Sequence, residues 1–194
     1  MGRLLQSLRM MLVAPQNAQY AKTPFSRDAD LGIVFCCSDI HPDGHVYAMG
    51  CADGTIHVYD IRTGTLNGTL SPHPGPLRSL HFSTNGFYLA STCTTDSQVR
   101  IWDLRKATSV AHSLQGASVG GKVRWDKSGQ FVALGGTAGV NVWVYDKKGK
   151  KFEEVTAEPL EKGGVKCFDW GRDGKQIVCG GLDDGSIAVL GVDQ

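Results

Sequence analysis

Residues 72–103 read PHPGPLRSLHFSTNGFYLASTCTTDSQVRIWD, and the fold is decided there. Leu77, Leu80 and Phe82 form an apolar run that a turn closes at Ser83-Thr84-Asn85-Gly86. A second run follows in Phe87-Tyr88-Leu89-Ala90, and a third in Val99-Arg100-Ile101-Trp102. Short apolar runs bounded by polar turn residues predict three antiparallel strands, not helices.

Working outward, the same unit recurs. The turn glycines Gly44, Gly86, Gly129 and Gly174 are separated by 42, 43 and 45 residues, a period typical of four-stranded blades arranged radially. The third strands end on the same beat, at Tyr59-Asp60, Trp102-Asp103, Tyr145-Asp146 and Leu190-Gly191. The third unit is therefore read as having lost its tryptophan. Six residues before the aromatic, Asp53, Asp96 and Asp184 mark the turn between second and third strands. The third unit has Gly139 there, inside Thr137-Ala138-Gly139, so its turn is expected to use a positive φ. Outer strands are placed at Leu66 to Leu70, Val110 to Leu114 and Phe152 to Thr156. Units of about 32–70, 71–114, 115–157 and 158–194 follow, preceded by residues 1–31.

Trp102-Asp103, with His73 upstream, resembles the repeat unit of the WD-repeat family. The resemblance implies an all-β protein, a WD-repeat β-propeller with four blade units present. His73, Ser91, Asp96 and Trp102 match the four residues that well-matched WD repeats link by hydrogen bonds. Chemically, Trp102 can offer its indole N–H to Ser91, Ser91 can bond His73, and His73 can donate to Asp96. The alternative is a hydrolase triad of Ser91, His73 and Asp96. Ser91 lies in a strand and lacks the G-x-S-x-G elbow that exposes a nucleophile. A structural network and no catalytic residue are expected.

Composition narrows the function further. Lys plus Arg number 20 against 19 Asp plus Glu, a net charge of +1, which offers no electrostatic footprint for nucleic acid or anionic lipid. No apolar run approaches the length that spans a membrane as a helix. Six cysteines, Cys36, Cys37, Cys51, Cys93, Cys167 and Cys179, show no C-x-x-C pair, so neither metal nor other cofactor is expected and a reduced, intracellular protein is. The run Lys147-Lys148-Gly149-Lys150-Lys151 is read as a solvated turn, not a nucleic-acid patch.

The fourth unit has four residues after its third strand, which ends at Leu190. Residues 2–8, Gly-Arg-Leu-Leu-Gln-Ser-Leu, resemble residues 64–70, which open an outer strand. Residues 1–31 are accordingly read as an outer-strand remnant of a preceding blade and a connecting loop. That reading replaces a mitochondrial presequence as the reason why Arg3, Arg9, Lys22 and Arg27 precede the first acid, Asp28. A four-bladed ring closed by its amino-terminal strand competes with part of a longer, seven-bladed propeller; the latter is the expectation.

Four stretches carry a narrower resemblance. They are His41-Pro42-Asp43-Gly44 before Ile61-Arg62-Thr63-Gly64; Asn85 to Ala90 before Trp102-Asp103-Leu104-Arg105-Lys106; Ser128-Gly129 before Ala133-Leu134-Gly135-Gly136-Thr137; and Gly180-Gly181-Leu182-Asp183. Together they resemble the carboxy-terminal propeller of the pre-mRNA-processing factor nineteen family over about residues 32–194. The resemblance implies a nuclear protein-interaction scaffold whose partners are other proteins of a splicing complex. Full-length members are ubiquitin ligases through a U-box and tetramerise through a coiled coil. Residues 1–31 show neither a U-box segment nor heptads, so ligase activity and self-assembly are not expected of this polypeptide. A generic WD-repeat adaptor or substrate receptor of another complex is the alternative.

Partners of a propeller bind where loops leading into the blades and the second-to-third turns gather around the central channel. By the repeat alignment Arg78 and Lys166 open equivalent innermost strands, and Thr95 and Asp183 precede the turn aspartates. These four mark the candidate partner-binding face.

Overall fold

Four antiparallel meanders account for fifteen strands among the residues that the computed structural model describes, 33–71, 73–106, 109–155, 164–172, 174–181 and 185–192. The first blade holds β1 (Phe35–Ile40), β2 (Val46–Cys51), β3 (Ile56–Asp60) and β4 (Leu66–Leu70). The second holds β5 (Leu77–Phe82), β6 (Tyr88–Cys93), β7 (Gln98–Asp103) and β8 (Val110–Gln115). The third holds β9 (Lys122–Trp125), β10 (Phe131–Gly136), β11 (Gly139–Asp146) and β12 (Lys151–Val155). In the fourth, β13 (Val165–Trp170), β14 (Gln176–Gly181) and β15 (Ile187–Gly191) are described. Residues 1–31 and the aspartates Asp183 and Asp184 lie outside the described residues.

The spaced glycines explain why each first hairpin closes where it does. Gly44, Gly86, Gly129 and Gly174 have φ of 74°, 72°, 68° and 72°, the left-handed region where any side chain costs free energy. Each meander then buries two faces, because side chains alternate along a strand. In the second blade Leu89 and Trp102 face the first blade, packing with Ala48, Ile56 and Leu70. Ala90, Val99 and Ile101 face the third, packing with Val123, Val132, Leu134 and Trp143. Phe131, Ala133 and Val142 continue the pattern against Ile177, Cys179 and Leu190 of the fourth. Each large side chain so buried contributes about 1.5–3 kcal/mol, which makes the faces between blades the main source of stability.

The innermost strands are sheet edges, and alternate N–H groups along them have no ladder partner. The neighbouring blade supplies one. The carboxylate of Asp39 accepts the Phe82 N–H at 2.8 Å, and His81 Nδ1 accepts the Trp125 N–H at 3.0 Å. At the next seam Trp170 donates its indole N–H to the Arg124 carbonyl at 3.2 Å. Asp39, His81 and Arg124 hold the same position in three successive strands, one residue before the strand end.

Pairing corrects one reading of the repeat. Trp102 lies opposite Leu89, and Trp143 lies opposite Val132, the residue equivalent to Leu89. The third blade has therefore kept its tryptophan, at Trp143, and Tyr145-Asp146 is not the counterpart of Trp102-Asp103. The cause is a hairpin two residues shorter, with only Thr137 and Ala138 between Gly136 and Gly139. Gly139 does take the positive φ, at 100°. The basic run forms the exposed turn from β11 to β12, where Asp146 accepts the N–H groups of Lys148 and Gly149 at 2.9 and 2.7 Å.

Candidate functional site

The second blade brings His73, Ser91 and Trp102 together in its buried interior; they are 5%, 0% and 1% exposed. Trp102 Nε1 donates to Ser91 Oγ at 2.7 Å. His73 Nε2 lies 2.7 Å from the same oxygen. The link to Asp96 differs from the expected one, because Arg100 stands between. One guanidinium nitrogen reaches His73 Nδ1 at 2.7 Å and the other reaches the Asp96 carboxylate at 3.0 Å. The physical reason is that Asp96 stays in the half-buried turn, also accepting the Gln98 N–H at 3.2 Å, while the planar fork of an arginine spans the gap.

Arg100 settles the protons. A guanidinium only donates, so Nδ1 of His73 is an acceptor and Nε2 carries the hydrogen, which it donates to Ser91 Oγ. Ser91 then accepts two hydrogen bonds and directs its own hydrogen to the Arg100 carbonyl, 3.4 Å away. A nucleophilic serine needs the reverse, with the imidazole taking its proton. Burial, and secondly the Arg100 charge, push His73 down to about 4. The ring is thus neutral, inert and fully used. Arg100 went unseen because nothing in the repeat pattern distinguishes it from an ordinary strand residue.

Neighbouring backbone holds the loop leading into the second blade. His73 N–H donates to the Gly54 carbonyl at 3.1 Å, and a side chain on Gly54 would run into the His73 carbonyl. Thr95, exposed in the β6–β7 turn, packs against Gly75, where an added Cβ would lie 2.5 Å from its methyl group. Thr95 is thus partly a packing residue. Asp183 lies outside the described residues.

Arg78 and Lys166 share a feature that sequence patterns do not reveal. The pairing of β5 with β6 shifts between Leu77 and Ser79, and that of β13 with β14 between Val165 and Cys167. Each cation is the extra residue of a β-bulge, a device that re-aims a side chain. Cys36 is the equivalent residue of the first blade, between Phe35 and Cys37. Cys36, Arg78 and Lys166 are all exposed. In the third blade the place belongs to Gly121, where a side chain would meet Leu134 at 2.6 Å, and the half-buried Lys122 follows it.

Among the described residues no group of three or more His, Cys, Asp and Glu side chains is placed to hold a metal ion. All six cysteines are free. Burial pushes the Cys37 thiol up to about 12 and the Cys179 thiol to about 11, so neither supplies a thiolate near neutral pH.

Comparison with known proteins places these features. The chain matches the family described as WD domain, G-beta repeat over residues 26–60, 64–103 and 155–189. The matches pass over most of the third blade, the one whose hairpin is short. Pre-mRNA-processing factor 19 of Oryza sativa subsp. japonica is 28% identical over 155 residues, covering 77% of this chain and 28% of that protein. The protein of that name from Schizosaccharomyces pombe is 35% identical over 71 residues, 37% of this chain and 14% of its own. Periodic tryptophan protein 2 homolog of Neurospora crassa is 38% identical over 82 residues, 42% of this chain and 9% of its own. The chain therefore spans less than a third of the length of these relatives.

Proposed function

From the premise that the chain belongs to the WD domain, G-beta repeat family, we propose that it is the partner-binding propeller portion of a nuclear scaffold of the pre-mRNA-processing factor kind. It acts by holding proteins of a splicing complex, not by catalysis. The observation that carries the binding reading is the direction of the hydrogen bonds around Ser91, which leaves the set of Ser91, His73 and Asp96 without a nucleophile. Bulges near the start of β5 and β13 instead hold Arg78 and Lys166 in view of solvent. Support for the splicing assignment comes from the similarity to pre-mRNA-processing factor 19, which extends over three-quarters of the chain in the rice protein. The binding face comprises Arg78, Thr95 and Lys166, and by the repeat alignment Asp183, which lies outside the described residues.

The test is affinity capture. A tagged 1–194 chain incubated with nuclear extract is expected to retain splicing proteins, identified by mass spectrometry. Arg78→Glu combined with Lys166→Glu is expected to lose them while folding is kept. Retention of proteins from an unrelated complex alone overturns the splicing reading.

A further inference from the structure

The binding face carries cations that nothing on the described residues neutralises. Arg78 and Lys166 project from bulges at the start of innermost strands, and Lys122 begins the corresponding strand of the blade between them. None of the three belongs to an ion pair among the described residues, whereas Arg100 is paired with Asp96 and Arg105 with Asp103. Nor do they serve each other's blades as hydrogen-bond donors, in contrast to His81, whose ring closes a seam.

Among the described residues, the carboxylates nearest in sequence position do not cancel them. Asp96 is held by Arg100, and Asp53 accepts the N–H and hydroxyl of Thr55 at 2.9 and 2.7 Å. Asp39 and Asp169 lie three residues further along their strands than the bulge positions, about 10 Å toward the other mouth of the channel. That separation exceeds a Debye length of about 8 Å in physiological salt. Three like charges along adjacent inner strands repel one another, and the fold supports two of them, Arg78 and Lys166, on bulges that ordinary pairing does not require.

We propose that this ledge of Arg78, Lys122 and Lys166 receives an acidic segment of a partner protein, a peptide whose carboxylates align with successive blades. The proposal rests on the partner-binding reading above and specifies the chemistry of the segment bound. Peptide, not nucleic acid, is the occupant, because three cations in a chain of net charge +1 lack the extended basic surface that a phosphate backbone demands. The neighbouring bulge residue Cys36 ends the row with an uncharged side chain, which confines the acidic contact to the second, third and fourth blades.

The experiment uses the 1–194 chain and a fluorescein-labelled deca-glutamate peptide, followed by fluorescence anisotropy. Binding is expected, and is expected to weaken severalfold as salt rises from 50 to about 200 mM, as screening requires. Arg78→Gln with Lys122→Gln and Lys166→Gln is expected to weaken it at least tenfold. Lys147→Gln with Lys148→Gln and Lys150→Gln, which removes equal charge from the β11–β12 turn on the opposite face, is expected to change it less than twofold. Should the first triple variant fail to fold, Arg78→Gln alone is expected to weaken binding about threefold. No binding by the wild-type chain, equal loss in both triple variants, equal binding of deca-lysine, or tighter binding of an oligonucleotide overturns the proposal. Capture of splicing proteins by a chain that ignores deca-glutamate overturns the acidic ledge and leaves the splicing reading standing. Deca-glutamate binding without such capture does the opposite.

Discussion

A guanidinium nitrogen of Arg100 sits 2.7 Å from Nδ1 of His73, so a permanent cation touches an imidazole that has to stay neutral. Burial lowers the His73 pKa first and this cation lowers it further, to about 4. In the unfolded chain it returns to about 6.5.

Stability should therefore depend on pH through His73 with a definite sign. Between about pH 6.5 and pH 4 the unfolded chain binds a proton that the folded chain refuses, so stability rises with pH across that window. It is complete above about 6.5 and lost progressively on descending to about 4. The shift corresponds to ~3 kcal/mol as an order of magnitude. His81, also shifted down chiefly by burial, adds to the slope. His73→Gln keeps a donor for Ser91 and an acceptor for Arg100 without titrating. Thermal melts at pH 4.5, 5.5, 6.5 and 7.5 should show a shallower decline for this variant than for the wild type. Parallel declines would remove His73 as a source.

Trp102→Phe should lower stability by roughly 1–3 kcal/mol. The change deletes the indole donor to a fully buried hydroxyl and some packing volume between the first and second blades. Urea unfolding measures the loss. An unchanged midpoint would mean that the Ser91 oxygen is satisfied without the indole.

Two glycines with similar backbone angles should respond differently to alanine. Gly44 has φ of 74° and open space around its missing side chain, so Gly44→Ala costs only the backbone strain, about 1 kcal/mol. Gly54 has φ of 88°, and an added methyl would strike the His73 carbonyl that holds the loop. Gly54→Ala should cost at least twice as much as Gly44→Ala by urea unfolding. Equal costs would show that the loop at His73 yields freely.

How legible the fold was depends on which residues carried a local signal. Gly44, Gly86, Gly129 and Gly174 announce the hairpins because a positive φ selects glycine at each one, and their period gives the blades. Trp143 was misread because the period is counted along the chain, whereas the tryptophan's place is set by pairing across the sheet. Two residues dropped from the hairpin move that aromatic off the beat, while the 45-residue step to Gly174 shows that the length is regained further along. Ser91 and Trp102 were legible together because the repeat they resemble sets a buried indole donor diagonally across from a buried hydroxyl on the adjacent strand. Arg100 was not, since a strand arginine reads as a solvated side chain until the depth of His73 is known. The bulges at Arg78 and Lys166 were invisible for a similar reason. A bulge is a mismatch between two strands, and neither strand alone records it.

The seams between blades provide the last prediction. Phe82 is buried, and its N–H points away from β6, because the ladder there is made by the neighbouring Ser83 N–H to the Tyr88 carbonyl at 2.8 Å. Asp39 of the first blade supplies the acceptor instead. Asp39→Ala leaves that N–H without a partner at an apolar seam, a loss of about 1–3 kcal/mol. Asp39→Asn keeps a carbonyl oxygen in place and should recover most of it, which separates the hydrogen bond from the charge. Hydrogen exchange reads the same event locally: the Phe82 amide should exchange at least tenfold faster in the alanine variant, with little change at Ala90 in the interior of the second blade. If Asp39→Asn is as unstable as Asp39→Ala, the carboxylate acts through its charge on His81, where it opposes the downward shift that burial imposes, and the seam is an ion-pair contact instead of a strand-edge cap.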